Sequence, residues 1–473
     1  MYDCTQFYIN GKWKDASPGE AFDFINPATE KPAGRIAYGT QADIDDAVQA
    51  ATRAFTGFSR WTVDERLDLL ATIADIYKTR WNDIAAAITA EMGAPSGMSM
   101  KLQTGSGLSH LRATMAALKE IKLAEPRGTY LMTREPIGVC GLITPWNWPI
   151  NQIVCKVAPA LAAGCTMILK PSEIAPANAT IFAEVLHQAG VPAGVFNLVH
   201  GDGPGVGAAL CMHPDIDMIS FTGSTRAGVL VAKSAADSVK RVAQELGGKS
   251  PNIILPSAPL KEAVSGGARA MFENSGQSCN APSRMLVHES QYEAAVEIAA
   301  AVANETLPGD PQDPATHIGP VVSANQFRRI QGLIEKGIGE GAVVAAGGPG
   351  KPGGLDTGYY VRPTVFRDVD NSMTIAREEI FGPVLCLIPY RTVEQAISIA
   401  NDTDYGLSSY VWAGEKDQAL EVAQRLRAGM VHLNGAPNDS SAPFGGYRQS
   451  GNGREWGQHG IADFMEVKAV MGA

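Results

Sequence analysis

The chain has 473 residues, 45% of them hydrophobic and 19% charged, with a formal net charge of −10. That length exceeds one small domain, so two or three domains are expected. An acidic balance with no Lys/Arg block excludes a nucleic-acid binder and a ligand of anionic membranes, so neither is an expected partner.

At the start, Phe7, Tyr8, Ile9 and Trp13 flank Asn10-Gly11, a dipeptide suited to a tight turn. This predicts a small β appendage. The opening residues carry no basic segment followed by an apolar run, so no signal peptide is expected. Thr40 to Asp43 resembles a capping box and predicts a helix towards Phe58. Leu67, Leu70, Ile73, Ile76 and Tyr77 recur at spacings of three and four, which predicts one helix over residues 64–92. Gly93 and Pro95 end it, and a further helix is expected over residues 101–119. Residues 123–136 alternate and carry Pro126-Arg127-Gly128, as a hairpin projecting from the main body would. Residues 462–470 alternate likewise. Two exposed ribbons invite edge pairing with another subunit.

From Gly138 the pattern becomes strand–helix–strand. Strands are predicted over residues 139–143, 165–169, 195–199, 217–221 and 241–246, with helices between them. Such alternation implies an α/β fold with a parallel sheet covered on both faces. The longest apolar run, residues 153–169, is broken by Lys156, Pro159 and Gly164 and cannot span a membrane. Ligands of open α/β sheets sit beyond the C-terminal strand ends. Here those ends carry Thr144-Pro145-Trp146-Asn147, Lys170-Pro171-Ser172-Glu173, the glycine-rich residues 201–207, Thr222-Gly223-Ser224 and Glu245-Leu246-Gly247-Gly248. Glycine turns that open helices offer free N–H groups to a phosphate. Gly203, Gly205 and Ala208 match the GxGxxG/A spacing only loosely, and Pro204 removes one donor. Lys170 and Glu173 could grip ribose hydroxyls.

After Gly248 strands and helices restart, which places a second α/β domain at about residues 249–441; residues 347–358 are a surface loop. Cys279 lies here, in ENSGQSCNAPSR at residues 273–284, among small and polar neighbours with no apolar periodicity. A thiol on such a turn is open to a substrate, although a single loop cysteine would by itself be unremarked. The chain's cysteines are odd in number and form no CxxC, which suits a reducing compartment and gives no zinc or iron–sulfur signature. The eight histidines are scattered, and no metal site is expected. A cytoplasmic location follows as the default.

Seven motifs, in order, resemble the aldehyde dehydrogenase superfamily from about Phe7 to Val470. They are PWNWP at residues 145–149, KPSE at 170–173, FTGS at 221–224, ELGGKSP at 245–251, GQSC at 276–279, EEIFGPV at 378–384 and PFGGY at 443–447. The resemblance implies a Rossmann-like cofactor domain (residues 1–119 and 137–248), a catalytic domain (249–441) and an oligomerisation ribbon (120–136 and 460–473). It implies a homodimer or homotetramer that oxidises an aldehyde with NAD, preferred, or NADP. Cys279 would be the nucleophile, Asn147 with the Cys279 N–H the oxyanion hole, and Glu245 the base that activates water. Thr144, Pro145, Trp146, Lys170, Ser172, Glu173, Gly203, Gly207, Thr222, Gly223, Ser224, Leu246, Glu379 and Phe381 would hold the coenzyme. Glu173 would accept bonds from a free ribose 2′-hydroxyl and repel a 2′-phosphate.

The implied tunnel wall reads Trp148, Asn151, Gln152, Cys155, Ser278 and Asn280. It suits a longer or ring-bearing aldehyde with a polar group, such as an omega-oxo acid or aryl-keto aldehyde. Three other readings compete. A coenzyme A-acylating relative has no use for Glu245. A cysteine hydrolase or acyltransferase needs a nearby base, yet no histidine precedes Cys279 closer than His213. A non-enzymatic role for the same fold would be signalled by loss of Cys279 or Glu245.

Overall fold

The computed structural model describes residues 1–17 and 20–473. Five parallel strands form the expected sheet in the spatial order Arg241–Glu245, Met218–Thr222, Val139–Ile143, Thr166–Lys170, Phe196–Leu198. Every residue of the three central strands is buried, as a sheet covered on both faces requires. Strand order reverses beside Val139–Ile143: the chain first builds outward on one side, then returns to build on the other. Such a switch point opens a crevice at the C-terminal strand ends. Thr144-Pro145-Trp146-Asn147 and Gly223-Ser224 flank it.

The N-terminal hairpin is not an appendage. Its strands Gln6–Ile9 and Lys12–Asp15 extend this sheet, with Tyr8 opposite Leu198 in an antiparallel pair. The reason is burial: Phe7, Tyr8 and Ile9 are all 3% exposed or less, and an isolated hairpin could not cover them. At the other edge Gly451–Asn452 pairs antiparallel with Arg241–Glu245, so the sheet has eight strands and is mixed. A further small sheet of Tyr2–Cys4, Ala21–Asn26 and Lys31–Ala37 has no counterpart in the sequence reading.

The helix expected over residues 64–92 is two helices, Val63–Thr79 and Trp81–Met92. They break at Arg80, whose guanidinium binds Asp83 at 2.6 Å and Glu184 at 2.8 Å. The apolar spacing fits each half equally, so it could not reveal the break. The next helix, Thr104–Glu120, is preceded by a wide π turn at Ser99–Gln103.

A second large sheet has seven strands in the order Val343–Ala346, Thr364–Arg367, Val384–Tyr390, Arg284–His288, Pro251–Ile254, Ser408–Trp412, Met430–Leu433. Only its Val343–Ala346 edge strand is antiparallel. The two ribbons expected to stand apart pair with each other inside the chain: Tyr130–Pro136 bonds antiparallel to Met465–Met471 on one side and to Ala124–Arg127 on the other. The last strand begins at Met465 because Gly457–Asp463, including Ala462, is helical. Among the described residues no helix is long and apolar enough to cross a membrane.

Candidate active site

The two large sheets meet where Glu245 ends one strand and Cys279 follows the helix Leu260–Phe272. Gly248 sits at the contact: a Cβ there would overlap the Cys279 carbonyl. Between helix and cysteine the backbone runs left-handed at Asn274 (φ 52°), Ser275 (φ 57°) and Gly276 (φ 71°). Such a run persists only when its surroundings over-determine it. Ser275 Oγ donates to the Gly319 carbonyl at 2.7 Å, Gln277 Nε2 to the Asn274 carbonyl at 3.0 Å, and the Val322 N–H to Gln277 Oε1 at 2.9 Å. These bonds fix the loop and leave Cys279 partly exposed.

Asn147 reaches this loop from the first strand's end. It is 4% exposed, and its Nδ2 donates to the Gln277 carbonyl at 3.0 Å. A side-chain amide carries two donor protons, so one remains for a ligand. The Asn147 carbonyl accepts from Asn274 Nδ2 at 2.9 Å and from Gln103 Nε2 at 3.2 Å. Gln103 Nε2 also lies 3.3 Å from Asn274 Oδ1. The π turn thus aims a buried amide at both sides of the junction. Sequence reasoning missed Gln103, Asn274 and Gln277; only the motif position of Gln277 offered a signal.

Glu245 is 2% exposed, and among the described residues its carboxylate oxygens have no hydrogen-bond partner apart from the facing Cys279 thiol. Burial, and then the negative charge of Glu455, hold its carboxyl well above the usual carboxylate range, while Lys156 opposes. The Cys279 thiol is pushed up in turn, by burial first and then by the charges of Glu245, Glu379 and Glu455. Lys156 is 1% exposed; its ammonium pairs with Glu455 and lies 3.0 Å from Ser220 Oγ. Neither Lys156 nor Glu455 was singled out, because nothing local links residues that far apart in sequence.

The crevice carries most of the expected coenzyme residues. Lys170 Nζ pairs with Glu173 at 3.2 Å, and Ser172 Oγ accepts from the Ile174 N–H at 3.3 Å. The Thr144 and Thr222 hydroxyls are buried at their strand ends without partners among the described residues. Ser224 caps the helix Thr225–Ala235, and the Gly223 N–H donates to the Glu245 carbonyl at 3.0 Å. Trp146, next to Pro145, meets Phe381 edge to face at 5.4 Å. Glu379 accepts from the Gly248 N–H at 2.9 Å and is raised to about 7 by burial. Leu246 packs into the core under the sheet, with its N–H on the Ser450 carbonyl. Gly203 and Gly207 lie in a turn closed on Asp202, where the Gly205 N–H bonds Asp202 Oδ1 at 2.7 Å. Among the described residues no hydrogen bond joins that turn to the cysteine loop.

The expected tunnel residues fall into two sets. Trp148 Nε1 donates to Ser278 Oγ at 2.9 Å, which ties the turn after Val139–Ile143 to the cysteine loop. Asn280 offers its carbonyl to the Tyr410 hydroxyl at 2.8 Å. Asn151 Oδ1 is engaged by His110 at 3.1 Å, a histidine that burial pushes down to about 4 and so keeps neutral. Cys155 lies against Glu455 Oε2 at 3.4 Å, in one apolar cluster with Leu407, Phe444 and Trp456 on which Cys279 packs. Gln152 is 7% exposed and its Oε1 has no partner among the described residues.

Residues 13–470 match the aldehyde dehydrogenase family. A 3-succinoylsemialdehyde-pyridine dehydrogenase of a Pseudomonas species is 54% identical over 473 residues, covering 100% of this chain and 99% of that protein. A crystal structure of aldehyde dehydrogenase C from Pseudomonas syringae with NAD+ and octanal is 49% identical with a TM-score of 0.98, covering 99% of this chain and 97% of that one. The NAD+ complex of an aldehyde dehydrogenase from Bacillus cereus is 39% identical with a TM-score of 0.95, covering 99% and 96%. The chain therefore belongs to the aldehyde dehydrogenase family, as an NAD(P)-dependent oxidoreductase acting on an aldehyde group.

Proposed function

We propose that Cys279, Glu245 and Asn147 carry the reaction in the roles their surroundings suit. The observation that carries this is the junction itself: a buried carboxylate and a half-used amide converge on one thiol. The Cys279 thiol, which is partly exposed, gives its proton to solvent, and Glu245 is kept for the later step on water. The thiolate attacks the aldehyde carbon and forms a C–S bond. The resulting oxyanion is met by the second Asn147 amide proton and by the Cys279 N–H, which makes no other hydrogen bond among the described residues. A bound nicotinamide coenzyme supplies the hydride acceptor, and the carbon is left as a thioester. Glu245 then takes a proton from water, the hydroxide adds to the thioester carbon, and the C–S bond breaks to release the acid and free Cys279.

Thr144, Thr222, Ser224, Lys170, Glu173, Glu379 and Phe381 would hold the coenzyme. The buried threonine hydroxyls, without partners among the described residues, and the helix N-terminus at Ser224 fit a phosphate-bearing ligand. Glu173, paired with Lys170, favours NAD over NADP because a 2′-phosphate would face its carboxylate. We assign residues 1–119 and 137–248 to the cofactor domain, 249–441 to the catalytic domain, and 120–136 with 460–473 to the oligomerisation ribbon. The free cysteines suit a cytoplasmic location.

The substrate is a longer or ring-bearing aldehyde with a polar group. The open acceptor on Gln152 supports this, as do the small side chains of Cys155 and Ser278. So does the similarity to the Pseudomonas 3-succinoylsemialdehyde-pyridine dehydrogenase. An aldehyde panel run with NAD and with NADP, followed by reduced-nicotinamide absorbance, tests the reading. A higher kcat/KM for acetaldehyde than for every functionalised aldehyde, or a lower KM for NADP than for NAD, would overturn the corresponding part.

A further inference from the structure

Trp456 has no role in the chemistry above, yet its backbone is held at φ 68° and ψ 154°. That region is essentially reserved for glycine, so a bulky residue stays there only when its neighbours enforce it. Two backbone bonds do so on the adjacent residue: the Phe444 N–H donates to the Glu455 carbonyl at 2.8 Å and the Glu455 N–H to the Phe444 carbonyl at 2.7 Å. The indole stacks on the Phe444 ring at 4.3 Å and lies 5.0 Å from His110. It shares the apolar cluster of Cys155 on which Cys279 packs. The side chain is 9% exposed, and its Nε1–H is buried with no acceptor among the described residues. A strained aromatic residue thus carries a buried, unpaired donor in the cluster on which the nucleophile packs.

We propose that Trp456 determines specificity by donating its indole N–H to an uncharged carbonyl oxygen on the substrate, beyond the aldehyde carbon. The proposal rests on the reading that the substrate is a functionalised aldehyde, and it narrows that class to oxo-aldehydes. A remote carboxylate is disfavoured because Glu455 and Glu245 are adjacent and the nearby cation, Lys156, is already paired with Glu455. Phe444 and the Trp456 ring supply apolar surface for an aryl or alkyl group that carries the oxo oxygen.

The test compares three aldehydes of equal length: an aryl-keto aldehyde, its analogue with CH₂ in place of the keto group, and an oxo acid. The parent should prefer the keto compound to both others. Trp456→Phe keeps a ring and removes the N–H, so the keto-over-CH₂ preference in kcat/KM should fall about ten-fold. Coenzyme binding, followed by quenching of protein fluorescence, verifies that the variant is folded. An undiminished preference in Trp456→Phe overturns the assignment of Trp456 while leaving the substrate reading intact. A parent that prefers acetaldehyde to all three overturns the substrate reading and this inference with it. A parent that prefers the oxo acid overturns the inference alone. If the variant does not fold, the parent's keto-over-CH₂ ratio decides, and a ratio near one overturns the proposal.

Discussion

Cys279 and Glu245 both resist ionisation in the resting site, and their charges oppose each other. The two steps they serve can still be separated. Cys279→Ala should abolish the first turnover and the steady state alike. Glu245→Gln keeps the nucleophile and Asn147 but loses the base for deacylation, a contribution worth roughly 10²–10⁴-fold. Rapid mixing with NAD and aldehyde should give a burst near one reduced coenzyme per subunit, then a near stall, with an acyl adduct on Cys279 by mass spectrometry. No burst and no adduct would mean that Glu245 is needed before acylation. The pH profile follows from the same charges. Catalysis requires both groups deprotonated, and both are raised, so kcat/KM should climb with pH on its acid side. Glu455 raises both groups, and Lys156 lowers Glu245. Glu455→Gln removes the first effect and keeps the second, so the acid limb should move to lower pH; a limb that stays put or moves up contradicts this electrostatic account. Of these residues Cys279, Glu245 and Asn147 were legible in the sequence, because each sits in a short motif at a turn. Lys156 and Glu455 were not, since Lys156 reads as a break in an apolar run and its partner lies far along the chain.

At the scale of elements, one irregular turn does what no regular helix would. The π turn Ser99–Gln103 rotates Gln103 into the junction, where it touches the carbonyl of Asn147 and the side chain of Asn274. π turns concentrate at functional sites. Gln103 is fully buried, so replacing it by leucine leaves Asn274 Oδ1 short of a donor. A buried group deprived of its partner costs about 1–3 kcal/mol. Gln103→Leu should therefore lower Tm, and it should slow the acylation burst about ten-fold, since 1.4 kcal/mol is ten-fold in rate. Coenzyme affinity should change little, because the crevice contacts lie on other strand ends. An unchanged burst rate with a lowered Tm would reduce Gln103 to a purely structural residue. Apolar periodicity located the surrounding helices but not this turn, because a π turn inserts a residue without changing composition. The same blindness hid the break at Arg80. Alternation found the strands, whereas joining the N-terminal hairpin to the main sheet required knowing that Phe196–Leu198 offers it an open edge.

For the whole molecule, both ribbons were legible as alternating segments but their mutual pairing was not, since strand alternation carries no information about partners. Their pairing changes the argument for assembly. Met465–Met471 lies at the edge of a three-stranded sheet and offers unpaired backbone groups along one side. Val467 and Met471, on one face of that strand, are 65% and 74% exposed. An exposed apolar edge strand is a pairing surface that monomeric proteins blunt with charge. Lys468 does not blunt this face, because it points the other way and pairs with Glu135. The ribbon should therefore be covered by a second copy, and light scattering at micromolar concentration should give at least twice the chain mass. Val467→Asp would bury a carboxylate without a partner in that contact, at an effective cost of several kcal/mol. The variant should shift towards the monomer. Cys279, Glu245, Asn147 and the crevice residues all come from one chain, so the dissociated variant should still give a burst with aldehyde and NAD. A parent that runs as a monomer, or a Val467→Asp variant of unchanged mass, would place the subunit contact elsewhere.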